Sequence, residues 1–479
     1  MQPVLTPEEM GAADQRAIAA GTPGEVLMDR AGRAVAWAVR RRLGRTYGVR
    51  AVIACGKGNN GGDGLVVARV LRGWGARVDV VMVGEGVDEA ALTRAVARAH
   101  VVVDAMYGTG FRGELGGDAL AVADAFAEFA GPVVAIDIPS GVDGLTGEAR
   151  GAAVRADETV CFAALKPGLC CEPGRSLAGV VQVADIGIAV TEGDAPPRTF
   201  CTEAADVAAW LPPRARAAHK WTAACFVVGG SGGMTGAPLL ASHAAMRAGA
   251  GMVWCGVPGA DAAARASGSE VITKGLPADA DGALTEDAAA AVLAGAGRFG
   301  ALAVGPGLGR APGTAAAVRR LVVGTTGPVV IDADALHALA GHLDLLAGRT
   351  VPAVLTPLAG EYAALRGEAP GADRLAAARA LAAETGAVVL LKGPGTVVAD
   401  PDGRAAICLA GGSALATAGT GDVLTGIVGA FLARGVPPFE AAAAAAFVHG
   451  SAAGRSGHTG LVAGDLVGAI PSVLDALAV

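Results

Sequence analysis

Several signals that would settle the class of this protein at once are missing from its sequence. The eight cysteines form no C-x-x-C pair, and Cys170 and Cys171 are adjacent, a spacing unsuited to bridging each other. This predicts free thiols in a reducing cytoplasm, not a disulfide framework. There is no long basic run and the net charge is −7, which argues against nucleic acid as a partner. Mean hydropathy is high at +0.48. The apolar content, however, is alanine and short valine runs, so no window reads as a membrane-spanning helix. "MQPVLTPEEMGAADQ" lacks a basic start followed by an apolar core, so no signal peptide is expected. Aromatics are scarce at 4%, whereas 73 glycines point to many tight turns and close backbone approaches. With 52% hydrophobic residues, 479 residues suffice for two or three domains with cores of their own.

Residues 6–20 and 25–43 have helical spacing. Short β-branched runs then alternate with Ala- and Arg-rich helical stretches: "RAVIAC", "ARVDVVMVG", "HVVVDAMYG", "PVVAIDIPSG", "ETVCFAALKPG" and "GVVQVADIG". The alternation predicts a Rossmann-like doubly wound parallel sheet. Prolines and charges across 190–219 break the rhythm and place a domain boundary near residue 200. A second α/β alternation follows, from "ACFVVGG" to "AVVLLKGPGTVVAD", with closing helices at 417–434 and 438–454. No internal repeat relates residues 1–200 to 201–479.

In the first half, "ACGKGNNGGDG" (54–64) contains Gly56-x-Gly58-x-x-Gly61 after an apolar strand. Such a loop suits a pyrophosphate at a helix N-terminus. The same pattern also fits a plain strand-to-helix turn. Glu85, after the second strand, is where a ribose-binding acid would fall. Asp63 sits in the glycine loop itself, while Asp104 and Asp137 close later strands. Ligands of open α/β sheets bind at these carboxyl ends, so Asn59, Asn60, Asp63, Asp104, Asp137 and Ser140 are expected to converge. Their oxygen atoms suit an alkali or alkaline-earth cation, not zinc. A cation would offset the acids beside a phosphorylated ligand. Taken singly, each acid also reads as a helix or turn cap.

"CGKGNNGGDG", "VDAMYGTGFRGE" and "AIDIPSGVDG" together resemble the NAD(P)H-hydrate epimerases, over roughly residues 1–195. The resemblance implies K+ at Asn60, Asp104 and Ser140. It implies substrate contacts from Asn59, Asn60, Gly61, Gly62 and Asp63, from Gly108, Thr109, Gly110, Phe111, Arg112, Gly113 and Glu114, and from Asp137. Interconverting the R and S hydrates needs a proton donor and acceptor. Asp137 is the candidate, with Lys166 a second, although a surface lysine before a turn proline explains Lys166 equally well.

In the second half, "GGSGGMTG" and "VGPGLG" are glycine loops after strands, and neither contains GK[ST], so there is no P-loop. Lys392, in the hairpin "LLKGPGTVVADPDG", is placed to meet a phosphate. "ATAGTGDVLTG" (416–426) leads Gly419 and Gly421 into a helix N-terminus, an arrangement suited to an anion. Asp422 at its mouth is placed to act as a base, and the helix field is expected to keep it ionised. A Thr420-capped helix with an acid in its first turn is the bland alternative. The run "HKW", "GGSGGMTGAP", "GPGLG", "DADAL", "TPLAGE", "KGPGT" and "GTGDVLTG" resembles the ADP-dependent NAD(P)H-hydrate dehydratases, which implies a ribokinase-like fold over roughly 205–475. It implies substrate contacts at Ala237, Gly307 and Asp422. Lys392, Gly393, Pro394, Gly395, Thr396 and Gly421 are the implied nucleotide contacts. ADP is the implied co-substrate, with Mg2+ an optional companion. Leu358 departs from the family's T-P-H-x-G-E, while Glu361 is kept.

Together the resemblances imply a bifunctional repair enzyme that epimerises hydrated NADH and NADPH and dehydrates the S form, releasing AMP and phosphate. The expected partners are these small molecules and further copies of the same chain. A ribokinase-type small-molecule kinase with an accessory Rossmann domain and a dinucleotide-binding sensor are the alternatives.

Overall fold

The computed structural model describes residues 1–191, 196–260, 263, 270–457 and 459–478. Residues 192–195 of the 190–219 boundary stretch lie outside this set. The chain forms two compact units, Gln2–Thr199 and Phe200–Val479, the latter joined by Met1. No helix among the described residues is long and apolar enough to cross a membrane.

In the first unit, helices α1 (Pro7–Ala19) and α2 (Gly24–Leu43) precede an alternation of strands and helices. This comprises β1 (Arg50–Cys55), α3 (Asn59–Gly73), β2 (Arg77–Met82), α4 (Glu89–Val96), β3 (Val101–Ala105), α5 (Asp118–Ala127), β4 (Val133–Ile136), β5 (Glu158–Phe162) and β6 (Val180–Ala184). The six strands stand in the order β2-β1-β3-β4-β5-β6, and every pairing is parallel. β1, β3 and β4 are buried on both faces, which is why they read as unbroken apolar runs. Strand order reverses between β1 and β3, so a crevice opens at their carboxyl ends. The glycine loop closes tightly there. A Cβ on Gly56 would overlap the Met106 carbonyl oxygen, and one on Gly61 would overlap the Gly56 carbonyl.

The second unit contains β7 (Thr199–Cys201, counted from Phe200), β8 (Ala224–Val228), α6 (Gly236–Arg247), β9 (Met252–Pro258), β10 (Ile272–Leu276), β11 (Ala301–Val304), α7 (Pro312–Gly324) and β12 (Val329–Ile331). Then come β13 (Ala353–Leu355), α8 (Ala359–Arg366), α9 (Arg374–Thr385), β14 (Val388–Leu391), β15 (Thr396–Ala399) and β16 (Ala405–Cys408). Three helices end the unit: α10 (Thr420–Ala433), α11 (Pro438–Ser456) and α12 (Ala463–Leu477). The strands of this unit stand in the order β7-β16-β15-β14-β13-β12-β11-β8-β9-β10. β10 to β14 and the strands between them are parallel, and β15 and β16 continue as antiparallel hairpins.

The order reverses between β8 and β11. There the two predicted glycine loops meet, since a Cβ on Gly229 would overlap the Pro306 carbonyl. α10 is buried along nearly its whole length and packs closely on α6. Gly426 permits that approach, because its Cβ would overlap the Ala241 carbonyl oxygen.

Two candidate active sites

The strand-end residues of the first unit do converge. Asp104, in β3, is fully buried. It accepts hydrogen bonds from the Ser140 amide and hydroxyl, each at 2.7 Å, and from the Met106 amide at 3.2 Å. Burial pushes its carboxyl up to about 6, against the pull of these donors. Asn60, in the first turn of α3, is buried, and its Nδ2 has no partner among the described residues. Gly108 lies between the acceptors, since its Cβ would stand 3.3 Å from Asn60 Oδ1 and 3.4 Å from Asp137 Oδ2. The 15-residue helix α3 begins at this point, and its first amides have no helical acceptor.

Asp137 has a positive φ of 65°, a backbone state that costs a non-glycine residue about 1–3 kcal/mol. The strain turns its carboxylate onto Lys166. Lys166 is not a surface lysine, and that reading is overturned: it is fully buried, and its Nζ lies 2.6 Å from Asp137 Oδ1. The ammonium also donates to the Phe162 carbonyl at 2.9 Å. Burial works against this charge, but Asp137 and Cys161 raise the ammonium above its ordinary value. Asp63 shares the pocket. Burial, reinforced by the Asp137 and Asp14 carboxylates, pushes it up to about 8. Asp14, on α1, is raised by burial and by Asp137, with Lys166 opposing. Its place in the cluster had no sequence signal, because α1 precedes every motif.

Other expected contacts fall elsewhere. Gly62 faces α2, since its Cβ would lie 2.7 Å from Met28. Asn59 and Glu85 are exposed. In the 108–114 loop, Phe111 stacks on Tyr107 at 5.1 Å, and Arg112 pairs with Asp143 at 3.4 Å while donating to the Thr109 carbonyl. Glu114 lies against Gly151. Gly110 has open space where a Cβ would stand, and Gly113 adopts φ 97°.

In the second unit the hub is Asp332, which follows β12 within "DADAL" and was not singled out from sequence. It is buried and accepts from Thr356 Oγ1 at 2.7 Å, Lys392 Nζ at 2.8 Å and Thr425 Oγ1 at 2.6 Å. Lys392 therefore points inward, to Asp332 and, at 3.5 Å, to Glu361. Burial opposes its charge, but the two carboxylates raise it above the ordinary value. Its Nζ is 3.6 Å from where a Gly421 Cβ would stand, which brings the hairpin to the N-terminus of α10. Asp422 lies in that first turn. Its carboxyl is raised to about 6, chiefly by burial and then by Asp332, with Lys392 opposing. The expected helix-field effect is thus outweighed, because the loss of water around the carboxylate acts in the other direction.

Thr420 does not cap α10. Gly419 occupies that place, and the Thr420 hydroxyl donates to the Leu415 and Thr417 carbonyls. Buried His449 holds the same turn, with Nε2 2.9 Å from the Thr420 carbonyl. Burial lowers its pKa to about 4, so the ring is neutral and donates. Gly307 and Ala237 adjoin, since a Gly307 Cβ would lie 3.2 Å from Ala237 Cβ. At the departure from the family pattern, the Leu358 amide still donates to Glu361 at 2.7 Å, so the turn survives while the leucine side chain is half exposed.

Comparison with known proteins assigns both halves. The family model described as NAD(P)H-hydrate dehydratase matches residues 225–467, and that described as YjeF-related protein N-terminus matches 24–93 and 83–168. A bifunctional NAD(P)H-hydrate repair enzyme of Salinibacter ruber is 43% identical, over 98% of this chain and 96% of its own. This chain belongs to the bifunctional NAD(P)H-hydrate repair enzymes. The relative in Moorella thermoacetica, of the same description, is 40% identical over 98% of this chain and 96% of its own. A ribokinase-like superfamily protein of Enterococcus faecalis V583 superposes with a TM-score of 0.51 at 20% identity. It covers 60% of this chain and 99% of its own, and shows the fold of that part alone. As a member of the family the chain is an enzyme with two activities on hydrated nicotinamide dinucleotides, an epimerase and a dehydratase.

Proposed function

We propose that the first unit interconverts the R and S hydrates at the crevice of Asn60, Asp104, Asp137 and Ser140, and that the second dehydrates the S hydrate with ADP at the mouth of α10. The observation that carries this is the pairing of each helix N-terminus with a buried lysine–carboxylate pair beside a strained or glycine-built turn. Such a site holds phosphates by backbone amides and keeps one carboxylate ready for proton transfer.

In the first site the hydroxyl of an enamine hydrate stands on the carbon bound to nitrogen. Asp137 takes the hydroxyl proton as the carbon–nitrogen bond opens, the nitrogen gains a proton, and closure from the other face inverts the centre. Lys166 fixes the direction and charge of Asp137. The residues fit K+: Asp104 is a fully buried carboxylate with no cationic partner among the described residues, and Asn60 and Ser140 add neutral oxygens. Bound there, the ion would offset the Asp104 charge and steady the phosphate end of the substrate.

In the second site Asp422 removes the ring-hydroxyl proton while that oxygen attacks the terminal phosphate of ADP, and AMP leaves. The phosphate ester then departs with its carbon–oxygen electron pair, and the neighbouring carbon loses a proton to restore the double bond. Lys392 and the loop from Gly393 to Thr396 face the nucleotide. Mg2+ would be held chiefly by the phosphates of the nucleotide, as is usual for this ion. All eight cysteines are buried, and we place the protein in the reducing cytoplasm that their spacing suggests. Incubating the purified chain with S hydrate and ADP tests the scheme: NADH, AMP and phosphate should form one to one, whereas NADH without AMP would overturn phosphoryl transfer.

A further inference from the structure

The KGPG turn between β14 and β15 is gripped from behind by Arg374, the first residue of α9. Asp373 caps that helix, accepting from the Ala376 amide at 2.9 Å. The Arg374 guanidinium donates to four loop carbonyls: Pro394 and Gly395 through Nη1, Leu391 and Lys392 through Nη2, at 2.5–3.1 Å. Gly393, at φ 148°, passes so close that its Cβ would lie 2.7 Å from Nη2. The amides of Gly393 and Gly395 have no acceptor among the described residues. Four of the loop's carbonyls are therefore drawn to one side by a single planar cation, the Gly393 carbonyl accepts instead from the Thr396 hydroxyl at 3.0 Å, and two amides are left on the turn. Five fixed donors make guanidinium suited to this, whereas an ammonium cannot span four carbonyls.

We propose that Arg374 is the positioning residue of the nucleotide loop: it turns the KGPG backbone so that its amides, with Lys392, receive the phosphates of ADP. The inference rests on the reading of this loop as the nucleotide site. Lys392 gains from the same grip, since Arg374 holds its carbonyl while Asp332 holds its ammonium. Arg374 touches no reacting atom, so its loss acts on nucleotide affinity more than on chemistry.

The test uses the full chain carrying Arg374→Gln and Arg374→Lys. For Arg374→Gln, KM for ADP should rise about tenfold or more, because a loop must be ordered at binding that was ordered before. At saturating ADP, kcat should stay within about threefold, KM for the S hydrate should be unchanged, and epimerase activity should be intact. Arg374→Lys should recover part of the ADP affinity, and added guanidinium ion at low millimolar concentration should recover part of it in Arg374→Gln. Unchanged KM for ADP in a folded variant overturns the proposal. A rise in KM for the hydrate alone overturns instead the assignment of this loop to the nucleotide. If Arg374→Gln melts well below the parent, Arg374→Lys decides: normal ADP affinity there refutes a role for the fork geometry.

Discussion

At the scale of single residues the account turns on two carboxylates and the lysines beside them. Asp422→Asn keeps shape and removes the base, so single-turnover dehydration should fall about a hundredfold or more with ADP affinity held or improved. The capping alternative predicts near-normal turnover, and that outcome would remove Asp422 from the mechanism. Acid should do the same reversibly. Burial raises the Asp422 carboxyl from 3.8 to about 6, so the ionised base is lost at higher pH than for an exposed aspartate. The logarithm of the dehydration rate should therefore drop with unit slope below about pH 6, and a profile flat to pH 5 would contradict the assignment. Lys166→Met leaves Asp137 buried without its ion pair, which should cost about 3–5 kcal/mol and abolish epimerisation. Dehydration of the S hydrate should survive it. Motif residues such as Asn60, Asp104, Ser140 and Asp422 were legible because their chemistry is written into short glycine-rich strings. Lys166 stood only as a second candidate beside a surface reading, and Asp332 was not legible. Their significance comes from burial and from partners 29 and 60 positions away, Asp137 and Lys392, which no local pattern records.

At the scale of elements, the doubly buried strands and the capped helices were plain from hydrophobic runs and punctuation. The misses have separate causes. β10 is an edge strand reading "ITKGL", mostly exposed, so it lacks the apolar run that marks the central strands. β7 has only three residues and lies in the stretch marked as a boundary. α12 carries Pro471 inside it, which reads as a helix breaker. The packing of α10 on α6 gives the sharpest structural prediction. Gly426→Ala pushes a methyl group into the Ala241 carbonyl, and should destabilise the second unit by about 1–3 kcal/mol or more. Calorimetry should show the melting temperature of that unit lowered and the first unit's unchanged. An unshifted transition would mean that the helices part at no cost.

At the scale of the molecule, each unit has its own hydrophobic core, so the two activities should separate. The cut belongs before β7, not within the stretch that follows it. Thr202 donates its amide to Ile407, so β7 continues into the second sheet. A fragment starting at Arg198 should fold and dehydrate only the S hydrate. An insoluble fragment, or one that consumes both epimers equally, would refute the division of labour. The measurement that bears most directly on two cooperating sites is the fraction of NADH recovered from a mixture of R and S hydrates with ADP. The parent chain should recover all of it. Asp104→Ala should stop once the S portion is consumed, with that portion converted at the parental rate. Complete recovery by Asp104→Ala, or equal slowing of both portions, would contradict the account.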